Sequence, residues 1–459
     1  MPQERRVHFV GIGGAGMSAL ARVLLAQGIG VSGSDLHDGP VLKALRELGA
    51  RVYVGHHPDH LRGATEVVLS SAIAPDNPEF QAAKALGLPV RHRSELLAEL
   101  LNQRDGITVA GAHGKTTVTS MIAWVLERTG ERPTFLIGGE VPGIGGAKYG
   151  DGRLLVAEAD ESDRSFLRYR PQIAVVTSIE PDHLENYNGS FAELKKSYAQ
   201  HLDNLKPGGW AVVCADDASV REVVQGLDGP KRRFVWYGLE AGAFFRGVEI
   251  KTQGFRTSFR VLRGAELFGE YTLSVPGRHN VQNALACIAV CDCLGIERGK
   301  VAAELAAFRG AKRRFEVISE ESGVLIIDDY AHHPTEIRAT LQAAKNGWNR
   351  RVIAVFQPHR YSRTSQLMEE FARSFDAADR LILTEVYAPP PEKPIPGVSG
   401  KRLAELARER LGDRVEYVPR LEDVVDRLFA LAQEGDIVVT MGAGDVWRVA
   451  HAFAQRRQR

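Results

Sequence analysis

The stretch GITVAGAHGKTTVTSMIAWVLERTG, Gly106 to Gly130, reads as a strand, a small-residue loop and an amphipathic helix in immediate succession. That order limits the fold. A strand that turns at once into a helix packs back on a parallel sheet, leaving the loop at the sheet's carboxyl edge. Gly111, Ala112, His113 and Gly114 leave room for backbone N–H groups to curl around a phosphate, and the helix start adds its dipole. Lys115 can reach β- and γ-phosphates, Thr116 can hold Mg2+, and Thr117 completes the motif. The general pattern G-x4-G-K-[ST] asks for glycine at 109, where Val109 stands, so this is a shortened variant. The bland alternative is a chance Gly-Lys-Thr in a turn. Strand, loop and helix in the required order argue against it. On this reading Lys115 is a charge for phosphates and supports no core.

The same alternation extends in both directions. Between Arg5 and Asp35, VHFV, GIGGAG, MSALARVLLAQG and GVSGS form one βαβ unit, and short strand patterns recur at Val52–Val54 and Glu66–Ser70. The polar run Gln103-Arg104-Asp105-Gly106 breaks the rhythm. After the phosphate loop come strands LLVAEAD, IAVVTSI and WAVVCA; beyond Gly310 a third series contains VLIIDD, VIAVFQ, LILTEV and DIVVTMG, with helical patterns TEIRATLQAAKN and QLMEEFARSFDAA between them. The expected fold class is α/β in three domains, residues 1–104, 105–311 and 312–459. A prior of about 150 residues per domain gives the same count. The loop APPPEKPIPGVSG cannot continue a helix or central strand and is read as surface, and QRRQR as a helix end.

Lys+Arg of 58 against Asp+Glu of 57 leaves no global field for nucleic acid or anionic membrane, so neither is expected as a partner. Met1 to Val10 lacks a signal-peptide core and no apolar run approaches the ~18 residues of a span, so a cytoplasmic location is expected. Cys214 stands alone. Cys287, Cys291 and Cys293 crowd one apolar, helical stretch without histidines at ligand spacing, and all four are read as buried, reduced thiols.

Strand LLVAEAD ends in Glu158, Asp160, Glu161 and Asp163, carboxylates at the sheet edge where phosphate chemistry needs a metal; Glu158 is the main Mg2+ candidate. IAVVTSI runs on into Glu180, Asp182 and His183, so His183 can reach the same crevice, although an acidic residue there is as often a helix cap and a histidine a loop residue. GIGGAG, with Asp35 some twenty residues on, fits the dinucleotide fingerprint G-x-G-x-x-G. Alone it indicates a nicotinamide cofactor, hence an oxidoreductase, but any diphosphate satisfies the same backbone. A structural tight turn is the third reading.

GAHGKTT, EADESD, EPDHLENY, GRHNVQNA, KRRFE, DDYAHHPTE and FQPHRYSRT occur in the order seen in the Mur ligase family, which this chain resembles over nearly its whole length. The resemblance implies a Rossmann-like first domain for a UDP-sugar, a central P-loop ATPase, and a Rossmann-like third domain that closes over the active site. It implies ATP and Mg2+, with Lys115 on the phosphates, Thr116, Glu158 and His183 around the metal, and Asn280 and Asn283 near adenine. Arg314 and Asp329 would contact nucleotide; Tyr330, His332, His359, Arg360 and Arg363 would surround the reacting carboxylate and the amino acid. Lys115, His183, His359, Arg360 and Arg363 are the catalytic candidates, and Gly13, Gly14, Asp35 and Ser71 the UDP-sugar candidates. GIGGAGMSALA looks like the member joining L-alanine to UDP-N-acetylmuramate, making those two small molecules the expected substrates and a homodimer the assembly to be tested. The nearer alternative is the related ligase that reattaches a recycled tripeptide. A nucleotide-dependent switch without chemistry would leave the histidine–arginine set unexplained.

Overall fold

The structure, a computed structural model, describes residues 4–227, 233–321, 323–389 and 392–458. Its architecture is α/β with three sheets. By packing it divides into two compact units: one comprises Met1–Gly247, Val261–Gly269 and Asn283–Glu304, the other Val248–Arg260, Glu270–Gln282 and Leu305–Arg459. Among the described residues no helix is long and apolar enough to cross a membrane.

The first sheet contains β1 (Arg6–Val10), β2 (Gly30–Asp35), β3 (Arg51–Val54), β4 (Glu66–Leu69) and β5 (Val90–His92), in order β3-β2-β1-β4-β5. Its neighbouring strands pair in parallel. The order reverses at β1, so the loop after β1 opens at the switch point, where α/β sheets bind ligands. Helices α1 (Ala15–Ala26), α2 (Pro40–Glu47), α3 (Pro78–Ala85) and α4 (Arg93–Asn102) complete this layer. On α1, Met17, Leu20, Ala21 and Leu24 recur every three to four residues, the stripe a helix presents to a core.

The second sheet is built from β6 (Asp105–Ala110), β7 (Thr134–Val141), β8 (Gly145–Lys148), β9 (Leu154–Glu158), β10 (Ile173–Val176), β11 (Trp210–Cys214), β12 (Arg233–Gly238), β13 (Phe245–Gln253), β14 (Arg256–Arg263) and β15 (Glu266–Leu273). Its order is β15-β14-β13-β12-β11-β10-β6-β9-β7-β8. Helices α5 (Lys115–Arg128), α6 (Phe191–Asp203), α7 (Ala218–Gln225), α8 (Arg278–Leu294) and α9 (Arg298–Ala307) accompany it. The expected strands LLVAEAD, IAVVTSI and WAVVCA are β9, β10 and β11. The run Gln103–Gly106 is not wholly a break, because Asp105 and Gly106 already pair with Leu154 and Leu155 of β9.

The third sheet has β16 (Glu316–Ser319), β17 (Leu325–Asp329), β18 (Val352–Phe356), β19 (Arg380–Leu383), β20 (Val415–Tyr417) and β21 (Ile437–Met441), in order β16-β17-β21-β18-β19-β20. Helices α10 (Pro334–Gly347), α11 (Tyr361–Gln366), α12 (Met368–Ala372), α13 (Gly400–Leu411), α14 (Leu421–Leu431) and α15 (Trp447–Arg457) cover it. Two expectations need correction. The helix expected over QLMEEFARSFDAA, residues 366–378, is only the short α12: Leu367, at φ −114°, ψ 19°, separates it from α11, and it ends at Ala372. Cys293, the penultimate residue of α8, is half-buried rather than buried, while Cys214, Cys287 and Cys291 are buried. Within APPPEKPIPGVSG, Lys393–Gly397 is exposed, Gly400 begins α13, and positions 390 and 391 lie outside the described residues.

Candidate active site

In the first unit the loop after β1 is seated by the end of β2. Gly11 N and Ile12 N donate to Ser34 O at 2.8 and 2.9 Å, and Gly13 N donates to the Asp35 carboxylate at 2.9 Å. A Cβ on Gly13 would stand 2.8 Å from that carboxylate oxygen, so only glycine permits the approach. Gly14 caps α1 without any side-chain hydrogen bond, and the first turn carries no acid. The helix start keeps its dipole for an anion. Ser71, after β4, pairs its Oγ with His92 Nε2 at 3.1 Å. Next to His92, Arg93 lies against Gly16 and reaches Asp160 and Asp163 at 3.4 and 3.5 Å.

The phosphate loop is shaped by β10. Ala112 N donates to Ser178 O at 3.0 Å, His113 N to Ser178 Oγ at 3.1 Å, and Thr177 Oγ1 to His113 O. Gly111 has φ +141° with Thr177 Oγ1 where a Cβ would go, and Gly114 has φ +81° with Asn283 Oδ1 2.7 Å from its Cβ position. Both glycines are required. α5 begins at Lys115 with no side-chain cap and no acid in its first turn. Lys115 Nζ bonds Glu161 Oε1 at 2.8 Å and also the carbonyls of Gly111 and Ala112. Burial alone would push the ammonium down; Glu161, with Asp160 and Glu158, outweighs it and holds Lys115 above the usual lysine range. The side chain has a structural partner that the sequence reading did not give it.

Thr116, Glu158 and His183 lie on or beyond the carboxyl ends of β6, β9 and β10, which are neighbours in the sheet. Glu158 Oε1 accepts Gly138 N at 2.7 Å. His183 sits at φ +55°, its N–H bonded to Asp182 Oδ1 at 2.9 Å and its Nε2 3.5 Å from Asp182 Oδ2. His113 Nε2 lies 3.3 Å from Glu180. Thr116, Glu158 and His183 thus offer a hydroxyl, a carboxylate and an imidazole from neighbouring strand ends, donor types a divalent cation takes, the oxygens suiting a hard one. Thr177 and Ser178 were missed as site residues, and Glu161, expected only as one of the sheet-edge carboxylates, is the partner of Lys115. The Thr-Ser pair ending the apolar strand IAVV was the available signal.

The other unit gathers most of the remaining candidates at the carboxyl ends of β17 and β18. Tyr330 lies under two guanidinium groups, Arg313 at 5.0 Å and Arg314 at 5.3 Å from its ring centre. His332 Nδ1 is 2.9 Å from Tyr330 O and its N–H donates to Glu336 at 3.0 Å. Its ring is 6.2 Å from that of His359, which stacks on Tyr387 at 5.6 Å. Arg360 holds φ +71° with its N–H on Tyr387 O at 2.8 Å, and Arg363 is buried. Burial lowers His332 to about 4; burial, then the charges of His332, Arg363 and Arg360, lowers His359 to about 3. Both rings are neutral at neutral pH. Asp329 is buried with its oxygens on Phe315 N and Ala331 N at 2.7 Å, and burial raises it to about 6. Its carboxylate thus braces the backbone that carries Arg314 and Tyr330. Asn280 Nδ2 is bonded to Pro276 O at 2.7 Å.

A phosphate loop with a buried lysine, carboxylates on adjacent strand ends and a glycine loop on a second parallel sheet define an α/β enzyme that handles nucleotides. Family comparison gives the particular family. Residues 6–105 match the Mur ligase catalytic domain, 109–291 the Mur ligase middle domain, and 313–444 the Mur ligase glutamate ligase domain. The chain belongs to the Mur ligase family. It is 48% identical to a UDP-N-acetylmuramate–L-alanine ligase of Symbiobacterium thermophilum, over 100% of this chain and 96% of that one. To the enzyme of that name from Trichlorobacter lovleyi it is 46% identical over 98% of both. The crystal structure of UDP-N-acetylmuramate-alanine ligase from Thermotoga maritima superposes with a TM-score of 0.84 at 31% identity, covering 99% of each chain. A murein peptide ligase from Psychrobacter arcticus gives 0.70 at 26% identity, covering 99% of this chain and 98% of that one.

Proposed function

We infer that this chain is an ATP-dependent ligase that forms an amide between the carboxylate of UDP-N-acetylmuramate and L-alanine, a step in peptidoglycan precursor synthesis. The observation that carries it is the 48% identity, over the whole chain, with a ligase of that specificity. The likeness to the alanine ligase structure exceeds that to the peptide ligase, TM-score 0.84 against 0.70, which favours alanine over a recycled tripeptide.

Amide formation from a carboxylate and an amine is uphill in water, so the carboxylate is first activated as an acyl phosphate at the expense of ATP. The amine then displaces phosphate. The approach of two anions is the barrier, and fixed positive charge lowers it. Lys115, kept protonated by Glu161, is that charge at the phosphate loop. Thr116, Glu158 and His183 would hold Mg2+, which supplies charge neutralisation at the transferred phosphoryl group when bound. Arg360 and Arg363 would orient the carboxylate, and Gly13, Gly14, Asp35 and Ser71 the uridine diphosphate part.

His359 and His332 are poor general bases. With an imidazole at about 3 facing the ammonium of a free amino acid, which is more basic than the ~8 of a chain's α-amino group, direct proton transfer would be uphill by more than ~7 kcal/mol. Held neutral, they instead accept or donate hydrogen bonds without adding charge beside Arg360 and Arg363. Calorimetry with UDP-N-acetylmuramate, NADH and NADPH tests the first-domain assignment: heat from the sugar nucleotide alone is expected, and tight NADH binding without it would overturn the assignment.

A further inference from the structure

The face of the first sheet that packs Val10, Val67 and Leu69 against Leu61 and Ala83 also encloses a polar cluster which the reaction above leaves unused. At its centre is Glu79, the second residue of α3, with no solvent exposure. Its Oε1 accepts from His60 Nδ1 at 2.7 Å and from His57 N at 3.2 Å. Oε2 accepts from Ser34 Oγ at 2.5 Å, His56 Nδ1 at 3.3 Å and His8 Nε2 at 3.4 Å. An ionised carboxylate only accepts, so each ring nitrogen facing it carries the proton. Burial alone would push Glu79 up; hydrogen bonds from His8 and Ser34, the attraction of His8 and the His60 bond outweigh it and bring the group down to about 2. His60 is itself fixed by stacking on Tyr53, ring centres 4.1 Å apart.

The donors come from β1, the end of β2, the turn after β3 and the 3-10 turn Pro58–Leu61. Ser34 is the junction. While its hydroxyl holds Glu79, its carbonyl accepts Gly11 N and Ile12 N, and the adjacent Asp35 accepts Gly13 N. Glu79 also begins α3 directly after the segment that carries Ser71, and in that segment Ile73 comes within 3.2 Å of the Cβ position of Gly11. One buried carboxylate therefore ties the floor of the glycine loop to the opposite wall of the same crevice. Apolar packing would stabilise this face as well; a fully bonded polar network adds a unique spacing.

We propose that Glu79, caged by His8, His56 and His60, is a positioning residue for the sugar nucleotide: through Ser34 it sets the Gly11–Gly13 amides, and through α3 the Ser71 segment. This role rests on the assignment of the first domain to UDP-N-acetylmuramate. Wild type, Glu79→Gln and Ser34→Ala are compared by calorimetry with UDP-N-acetylmuramate and by steady-state kinetics. For Glu79→Gln, Kd and KM for the sugar nucleotide rise about tenfold or more while kcat and the KM for ATP stay within about twofold. Ser34→Ala, which removes the hydroxyl shared by Glu79 and His56 but leaves His8 and His60 on the carboxylate, shifts the same two constants by less and covers the case in which Glu79→Gln does not fold. Unchanged sugar-nucleotide affinity in both variants overturns the proposal, as does an equal loss in every kinetic constant. If the wild type itself fails to bind the sugar nucleotide, the domain assignment falls and this role with it.

Discussion

Replacing Lys115 by methionine should cost both activity and stability, and the stability loss should vanish on a second substitution. Glu161 is 4% exposed and Lys115 Nζ lies 2.8 Å from its Oε1; its Oε2 has no hydrogen-bond partner among the described residues. Lys115→Met leaves a buried carboxylate without its cation. The cheapest escape is protonation; burial already holds Glu161 above its ordinary 4.5 with Lys115 in place, so the full cost of protonation at pH 7, about 3 kcal/mol, is the upper limit of the deficit. That limit meets the lower end of the ~3–5 kcal/mol seen when one partner of a buried pair is removed. A carboxyl held neutral in the fold is destabilising above its unfolded pKa, so the deficit shrinks as pH falls, its limit reaching about 1.4 kcal/mol at pH 5.5. Lys115→Met with Glu161→Gln should regain most of the stability at pH 7 and none of the ligation. Urea unfolding at the two pH values, followed by tryptophan fluorescence, measures the first; phosphate release measures the second. A single variant as stable as wild type at pH 7, or a deficit independent of pH, would refute the reasoning.

Glu158→Gln should raise the Mg2+ concentration for half-maximal rate on the order of tenfold, since an amide is a poor ligand for a hard cation; an unchanged titration moves the metal elsewhere. His183→Ala should shift the same titration in the same direction by less, and a normal curve would return His183 to the role of a loop residue. Burial holds His201, His279 and His332 near 4 and His359 near 3, below the ordinary 6.5. Their unfolded forms take up protons that the fold refuses, so stability should fall as pH drops from about 6.5 toward 4, visible as a falling urea midpoint. For the same reason the kcat profile should show no inflection near 6.5 from His332 or His359; an imidazole step there would contradict their neutral burial.

The phosphate loop was legible because strand, loop and helix are contiguous and the backbone angles follow from the glycines. The choice among Glu158, Asp160, Glu161 and Asp163 was not, since only the turn after β9 decides which carboxylate swings back to Lys115. Asp329 reads in sequence like a ligand, whereas burial has turned both its oxygens onto backbone amides. Strands β13 to β15 carry a readable alternation, as in RTSFRVLR with its alternate residues buried, separated by Gly254 and Gly264 at positive φ. By contrast β8, with the sequence GGAK, has no pattern and forms only because β7 folds back on it. The start of α11 was not legible either, because Glu392, which accepts Tyr361 N and Ser362 N, reaches it from thirty residues away. Nothing in sequence marks Glu79, because its partners His8, Ser34, His56 and His60 meet it from four separate segments.

The measurement that bears most directly on the account is phosphate release from ATP by the purified chain with UDP-N-acetylmuramate and each amino acid offered in turn. L-alanine should support stoichiometric phosphate and amide formation, dependent on Mg2+ and abolished by Lys115→Met. Release with the tripeptide but not with alanine, or no release with any amine, would contradict it.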